Sequence, residues 1–134
     1  DSDDHDGDDG EDNDGDLVEV DSTVLVPADG YAVFMRSSNS TMNGGIIADY
    51  GYGGNLSLAN GADELVMLFE GVEIDRVDYD SGGVFPSVAG SSMALDPDEY
   101  SSSANNTGAN WCAGVSLFGL GDFGTPGAEN DQCF

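Results

Sequence analysis

Glu64-Leu65-Val66-Met67-Leu68-Phe69-Glu70-Gly71-Val72-Glu73-Ile74-Asp75-Arg76-Val77-Asp78-Tyr79 is the stretch that decides the fold class. Its first arm is rich in aliphatic and aromatic residues, Gly71 supplies a tight turn, and its second arm alternates. Val72, Ile74, Val77 and Tyr79 are apolar with charged residues between them, the period-2 signature of a strand with one wet face. One slip, at Asp75-Arg76, predicts a β-bulge there. The stretch therefore predicts a β-hairpin.

Outward from the hairpin the same texture recurs in short pieces. On the N-terminal side, Leu17-Val18-Glu19-Val20, Thr23-Val24-Leu25-Val26 and Tyr31-Ala32-Val33-Phe34-Met35 read as strands, with Pro27-Ala28-Asp29-Gly30 turning into the last of them. Residues 46–52 and Leu56-Ser57-Leu58 are further candidates. On the C-terminal side a Gly/Ser loop over 80–91 leads to Ser92-Met93-Ala94-Leu95, and Asp96-Pro97-Asp98 reads as a turn. Beyond it the chain is loop-rich, with Trp111 as its large anchor. No window shows helical periodicity. About seven short strands at intervals of roughly 8–12 residues point to an all-β, antiparallel sandwich. Tyr31, Phe34, Phe69, Tyr79 and Trp111 are the expected core aromatics, while Tyr50, Tyr52, Phe85, Tyr100, Phe118 and Phe123 fall in turn-like segments. If several of the latter are exposed together, they would contact a glycan or protein ligand.

Charge restricts the function classes. The 134 residues carry 27 Asp plus Glu against two basic residues, Arg36 and Arg76, for a formal net charge of −25. A surface of this sign repels phosphate backbones and anionic lipid, which argues against nucleic acid and membranes as partners. No apolar run approaches the ~20 residues of a membrane span. The sequence starts at Asp1, without a signal peptide, which reads as a mature, processed form.

The acid is concentrated in residues 1–16, DSDDHDGDDGEDNDGD, a leader without an apolar side chain. Asp4, Asp6 and Asp8, then Asp12, Asp14 and Asp16, place carboxylates two residues apart, with Gly7, Gly10 and Gly15 letting the backbone curl. Hard oxygen donors at this density suit Ca²⁺. The alternative is loose counterion condensation on a solvated linker. Asp12-Asn13-Asp14-Gly15-Asp16 resembles the loops of thrombospondin type 3 repeats. An EF-hand is excluded, because loops started at Asp4 or Asp12 end on Gly15 or Thr23, where a bidentate Glu is required. His5, the single histidine, leaves neither a His-based triad nor a transition-metal cluster enough partners. Glu70 and Glu73 could pair as hydrolytic carboxylates, but they flank a hairpin turn, where exposure is the default. Gly51-Tyr52-Gly53-Gly54 precedes neither a Lys nor a helix, so it is not a phosphate cradle. An enzyme is not expected.

Cys112 and Cys133 are the two cysteines. A disulfide between them would close a loop of about 20 residues and hold down the tail 131–134; two separate buried thiols are the alternative. Without His or further Cys they are not a zinc site.

Tyr31-Ala32-Val33-Phe34, Asn43-Gly44-Gly45 leading to Asp49-Tyr50, and residues 56–66, LSLANGADELV, together resemble the bacterial lamin-tail domain. So do Ile74-Asp75-Arg76-Val77-Asp78-Tyr79, Ser92-Met93-Ala94-Leu95-Asp96-Pro97, Asn110-Trp111-Cys112 and Gly124-Thr125-Pro126-Gly127-Ala128-Glu129-Asn130. The resemblance covers residues 17–130 and implies an immunoglobulin-like antiparallel β-sandwich with no catalytic centre, on secreted or cell-surface proteins. One departure matters: the opening isoleucine-asparagine-glutamate strand and the tryptophan-x-glutamate strand of that family are missing, and the acidic leader stands in their place. Three explanations are open: a processed fragment, a shortened variant that closes its own core, or a sandwich completed by a neighbour's strand. The expected role is extracellular structure or assembly by self-association or a donor strand from another chain, assisted by Ca²⁺. The alternative is a monomeric surface adhesion or ligand-binding module.

Overall fold

The computed structural model describes residues 16–80 and 82–134. The architecture is β-rich. Eight strands follow one another: β1 (Phe34–Met35), β2 (Tyr50–Gly51), β3 (Ala62–Phe69), β4 (Val72–Asp80), β5 (Met93–Leu95), β6 (Trp111–Ala113), β7 (Leu117–Phe118) and β8 (Asp122–Phe123). Three single 3₁₀ turns, Pro97–Glu99, Ala104–Asn106 and Gly108–Asn110, connect β5 to β6. Among the described residues the strands associate two by two: β1 with β2 in parallel, and β3–β4, β5–β6 and β7–β8 antiparallel. No helix among these residues is long and apolar enough to cross a membrane.

The hairpin forms where the sequence placed it. Glu70 and Gly71 occupy the two loop positions with φ of 51° and 78°, the left-handed pair that matches the twist of antiparallel strands. Gly71 takes this conformation without steric cost; Glu70 does not, and is held there by the strands on either side. The bulge lies one step earlier than the alternation indicated. Met67 opposes Asp75 and Leu68 opposes Glu73, so Ile74 is the extra residue. Its consequence is a common side for Asp75, Val77 and Tyr79, opposite Met67, Leu65 and Asp63.

The expected strands over 17–20 and 23–26 are absent. Leu17, Val20, Leu25 and Val26 are exposed, and none of these segments joins a ladder. A β-branched run becomes a strand only when a partner accepts its backbone groups, and no strand lies alongside. The expected strand from Tyr31 shrinks to Phe34–Met35 for the same reason: a two-residue parallel pairing with β2 leaves Tyr31 and Phe34 largely exposed.

The core is small. Tyr79, Phe85 and Ala94 are the buried apolar side chains among the described residues, with Asp96 and Asn105 as buried polar ones. Phe85 and the half-buried Trp111 meet at a ring-centroid distance of 5.8 Å. The Trp111 indole N–H donates to the Asn105 carbonyl at 2.9 Å, which binds β6 to the preceding 3₁₀ turns. Gly108 sits against this cluster, where a Cβ would lie 2.8 Å from Val84 Cγ1 and 3.0 Å from Phe85 Cδ2. Only a residue without a side chain lets the backbone approach that closely.

The C-terminal tail is tied down from both sides. Cys112 and Cys133 form the disulfide, their Cα atoms 5.6 Å apart. The buried Asp96 carboxylate accepts from the Cys133 N–H at 3.0 Å, the Gln132 side chain at 3.1 Å and the Asp98 N–H at 2.9 Å. The Asn130 amide donates to the Leu95 carbonyl at 2.8 Å. Asp131 accepts from the Ser116 hydroxyl and from the N–H groups of Val115 and Ser116, and these donors hold its carboxyl below the ordinary aspartate range.

Candidate functional site

The longest pairing in the chain is also its least covered. β3 and β4 pair with each other and, among the described residues, with no other strand. Among the described residues, no backbone–backbone hydrogen bond from outside the hairpin reaches residues 62–79. The outward groups of each strand among these residues thus have no backbone partner, although the Glu64 and Arg76 N–H groups donate to the Asp63 and Asp75 carboxylates at 2.9 Å. Side chains are equally open. Leu65, Met67, Leu68 and Phe69 on β3, with Val72 and Ile74 on β4, range from 49% exposed at Leu65 to 65% at Phe69 and Val72. The hairpin is anchored chiefly at its open end. Tyr79 is buried there and donates to the Ala59 carbonyl at 2.6 Å, and removal from water raises its phenol above the ordinary tyrosine range. Asp75 adds a second anchor by accepting from the Asn105 amide at 2.8 Å.

Beside β3 runs a groove of about 660 Å³. Leu17 and Val18 of the N-terminal segment and Leu56 and Leu58 of the preceding loop form part of its wall, with Leu65 and Leu68 of β3. Its polar lining is Asp16, Ser57, Asp63, Glu64, Glu73 and Arg76. Four carboxylates thus face one guanidinium. That guanidinium is already engaged: Arg76 donates to Glu73 at 3.0 Å and Asp78 at 3.2 Å, and these bonds raise its pKa further. A smaller hollow of about 400 Å³ lies over the bulge, lined by Glu73, Ile74, Asp75, Arg76, Asp78, Ser102 and Asn106. At the turn Glu70 is exposed, and Glu73 accepts from Arg76.

Of the residues expected to hold Ca²⁺, Asp4, Asp6, Asp8, Asp12 and Asp14 lie outside the described residues, as does His5; Asp16 is exposed at the groove mouth. Among the described residues no three His, Cys, Asp or Glu side chains converge as metal ligands. The loop aromatics divide. Phe85 belongs to the core, and Tyr50 packs on Phe34 at 5.5 Å while donating to the Glu19 carbonyl at 3.1 Å. Tyr100 stays largely exposed and accepts from the Asn130 N–H. The residues that sequence reasoning missed are the groove walls, Leu17 and Val18 with Leu56 and Leu58. Their apolar character was plain, but their position beside β3 is a tertiary fact.

Comparison with family models, with curated proteins and with solved structures finds no match.

Proposed function

We propose that this chain is a non-enzymatic extracellular assembly domain, an immunoglobulin-like sandwich of the lamin-tail kind whose β3–β4 hairpin takes a strand from another polypeptide. The observation that carries this reading is the hairpin itself, two long strands that pair with no third strand among the described residues and whose side chains remain largely in water. Strand addition satisfies such edges with main-chain hydrogen bonds, and the side chains beside them set the choice of partner. The pairing of strands two by two among the described residues supports a sheet that is completed from outside. The disulfide fits an oxidising, extracellular setting.

Hydrogen exchange on the dilute, demonstrably monomeric protein tests this. Along residues 62–69, amides that face β4 should be protected while those that face outward exchange at nearly open-chain rates. Uniform protection in the monomer would mean that the edges are already closed, and the proposal would fail.

In the same reading the carboxylates of Asp4, Asp6, Asp8, Asp12, Asp14 and Asp16 bind Ca²⁺, lowering the repulsion between an acidic domain and its neighbours. Calorimetric titration should give saturable binding with a Kd of about 10⁻⁴ to 10⁻³ M, the range of extracellular calcium modules. Heat that Mg²⁺ or added NaCl abolishes equally would reduce the leader to a diffuse counterion cloud.

A further inference from the structure

We infer that the strand accepted beside β3 is a cationic one, an extended segment alternating Lys or Arg with aliphatic residues, rather than a second copy of this chain. The inference rests on the strand-addition reading and names its partner. Three observations carry it. The groove beside β3 combines an apolar wall, Leu17, Leu56, Leu58 and Leu65 among it, with the carboxylates of Asp16, Asp63 and Glu64 and with Glu73, already paired to Arg76. Its one cation, Arg76, is shared between Glu73 and Asp78 and has little charge left to offer. Finally, the whole chain carries a formal charge of −25, with Arg36 and Arg76 as its only Lys or Arg residues.

An added strand presents its side chains alternately to the two faces of the sheet. Each face of β3 carries one carboxylate near its start, Asp63 or Glu64, and continues in apolar residues, so an extended segment that mixes aliphatic and basic side chains can cover Leu65, Val66 and Leu68 while its cations meet the carboxylates. A second copy is the poorer partner: each chain carries a formal charge of −25, and its β3 offers Asp63 and Glu64 but no cation to meet the carboxylates of the groove. Complementary charge adds on-rate and partner choice to the hydrogen bonds that strand addition supplies to any sequence. β3 has eight residues, and that is the length of strand it can pair along its whole edge.

The test uses the full chain and three capped eight-residue peptides, alternating valine with lysine, with threonine or with glutamate. Binding is read by calorimetry, and its location by hydrogen exchange over residues 62–69. The lysine peptide should bind at least roughly tenfold tighter than the threonine peptide at low ionic strength, a modest electrostatic difference. That margin should largely disappear at about 0.5 M NaCl, where charges several ångströms apart are screened. Glu64→Gln should weaken the lysine peptide by more than it changes the threonine peptide, and the outward amides of β3 should slow on binding. If the lysine and threonine peptides bind equally and both protect β3, the cationic partner is wrong while strand addition stands. Protection of β3 by rising protein concentration alone would make a second copy the occupant and overturn the inference. Lysine-peptide binding that leaves β3 exchange untouched, or no binding by any peptide while β3 stays open, overturns it as well.

Discussion

Phe85→Ala should cost about 3–5 kcal/mol of folding stability, the range for truncating a buried aromatic side chain. Folded domains are stable by only about 5–15 kcal/mol, so the variant should lie close to its unfolding midpoint at room temperature. Phe85 is 6% exposed and is one of three buried apolar side chains among the described residues. It also braces Trp111 across 5.8 Å, and its removal frees the indole that fastens β6 to the 3₁₀ turns through the Asn105 carbonyl. Gly108, which has no side chain to fill the hole, lies against the same ring. Urea unfolding followed by tryptophan fluorescence would measure the loss, and Phe85→Leu, which keeps most of the volume, should retain much of the stability. A loss below about 1 kcal/mol for the alanine variant would show that this cluster is not the centre of the fold.

The importance of Phe85 was not legible in the sequence, and the reason is physical. It stands between Gly82-Gly83 and Pro86, with turn residues on either side and no periodicity to assign it a face. Burial came from the way the 82–90 loop folds back on Gly108, a contact far away along the chain. The hairpin, in contrast, was readable because its information is local: strand propensity on both arms, a glycine at the turn, and alternation beyond it. Even there the bulge was placed at Asp75-Arg76 rather than Ile74. Alternation shows that a residue has been inserted but not which one, since Ile74 stays in phase with Val72 when read from the turn. The segments over 17–26 failed in the opposite way. They have the composition of strands, yet a strand is a relation between two segments, and composition describes only one. The same limit applies to the site. The apolar residues of β3 and the carboxylates around them are visible in the sequence, whereas the groove needs Leu17 and Leu56 brought alongside, which only the fold does.

Replacing Cys112 and Cys133 together by Ser should destabilise the domain by about 3 kcal/mol, the chain-entropy value for releasing a loop of roughly 20 residues. The bridge spans a sequence separation of 21 and joins β6 to the last turn of chain, so it constrains the unfolded state over the whole C-terminal region. The folded tail keeps other attachments: Asp96 still accepts from Cys133 N–H and Gln132, and Asn130 still donates to Leu95. The native contacts around β5 should therefore survive in the double variant, and the loss should appear as a lower urea midpoint rather than as a detached tail. Asp96→Asn in the oxidised protein gives the complementary experiment. It keeps the cross-link but exchanges one acceptor oxygen for a donor amide, leaving either Cys133 N–H or Asp98 N–H without its partner, at a cost of about 1–3 kcal/mol. The two effects should combine non-additively, because each attachment makes the other easier to keep. The β3–β4 hairpin should be indifferent to either change in hydrogen exchange at temperatures where the fold persists, since its anchors, Tyr79 on Ala59 and Asp75 on Asn105, do not touch the tail. A double-serine variant within about 1 kcal/mol of the parent would show that the Asp96 clamp holds the C-terminus without the disulfide. Loss of the alternating exchange along β3 would show instead that the strand-accepting edge depends on the tail, and that oxidation of this cysteine pair is a condition for binding.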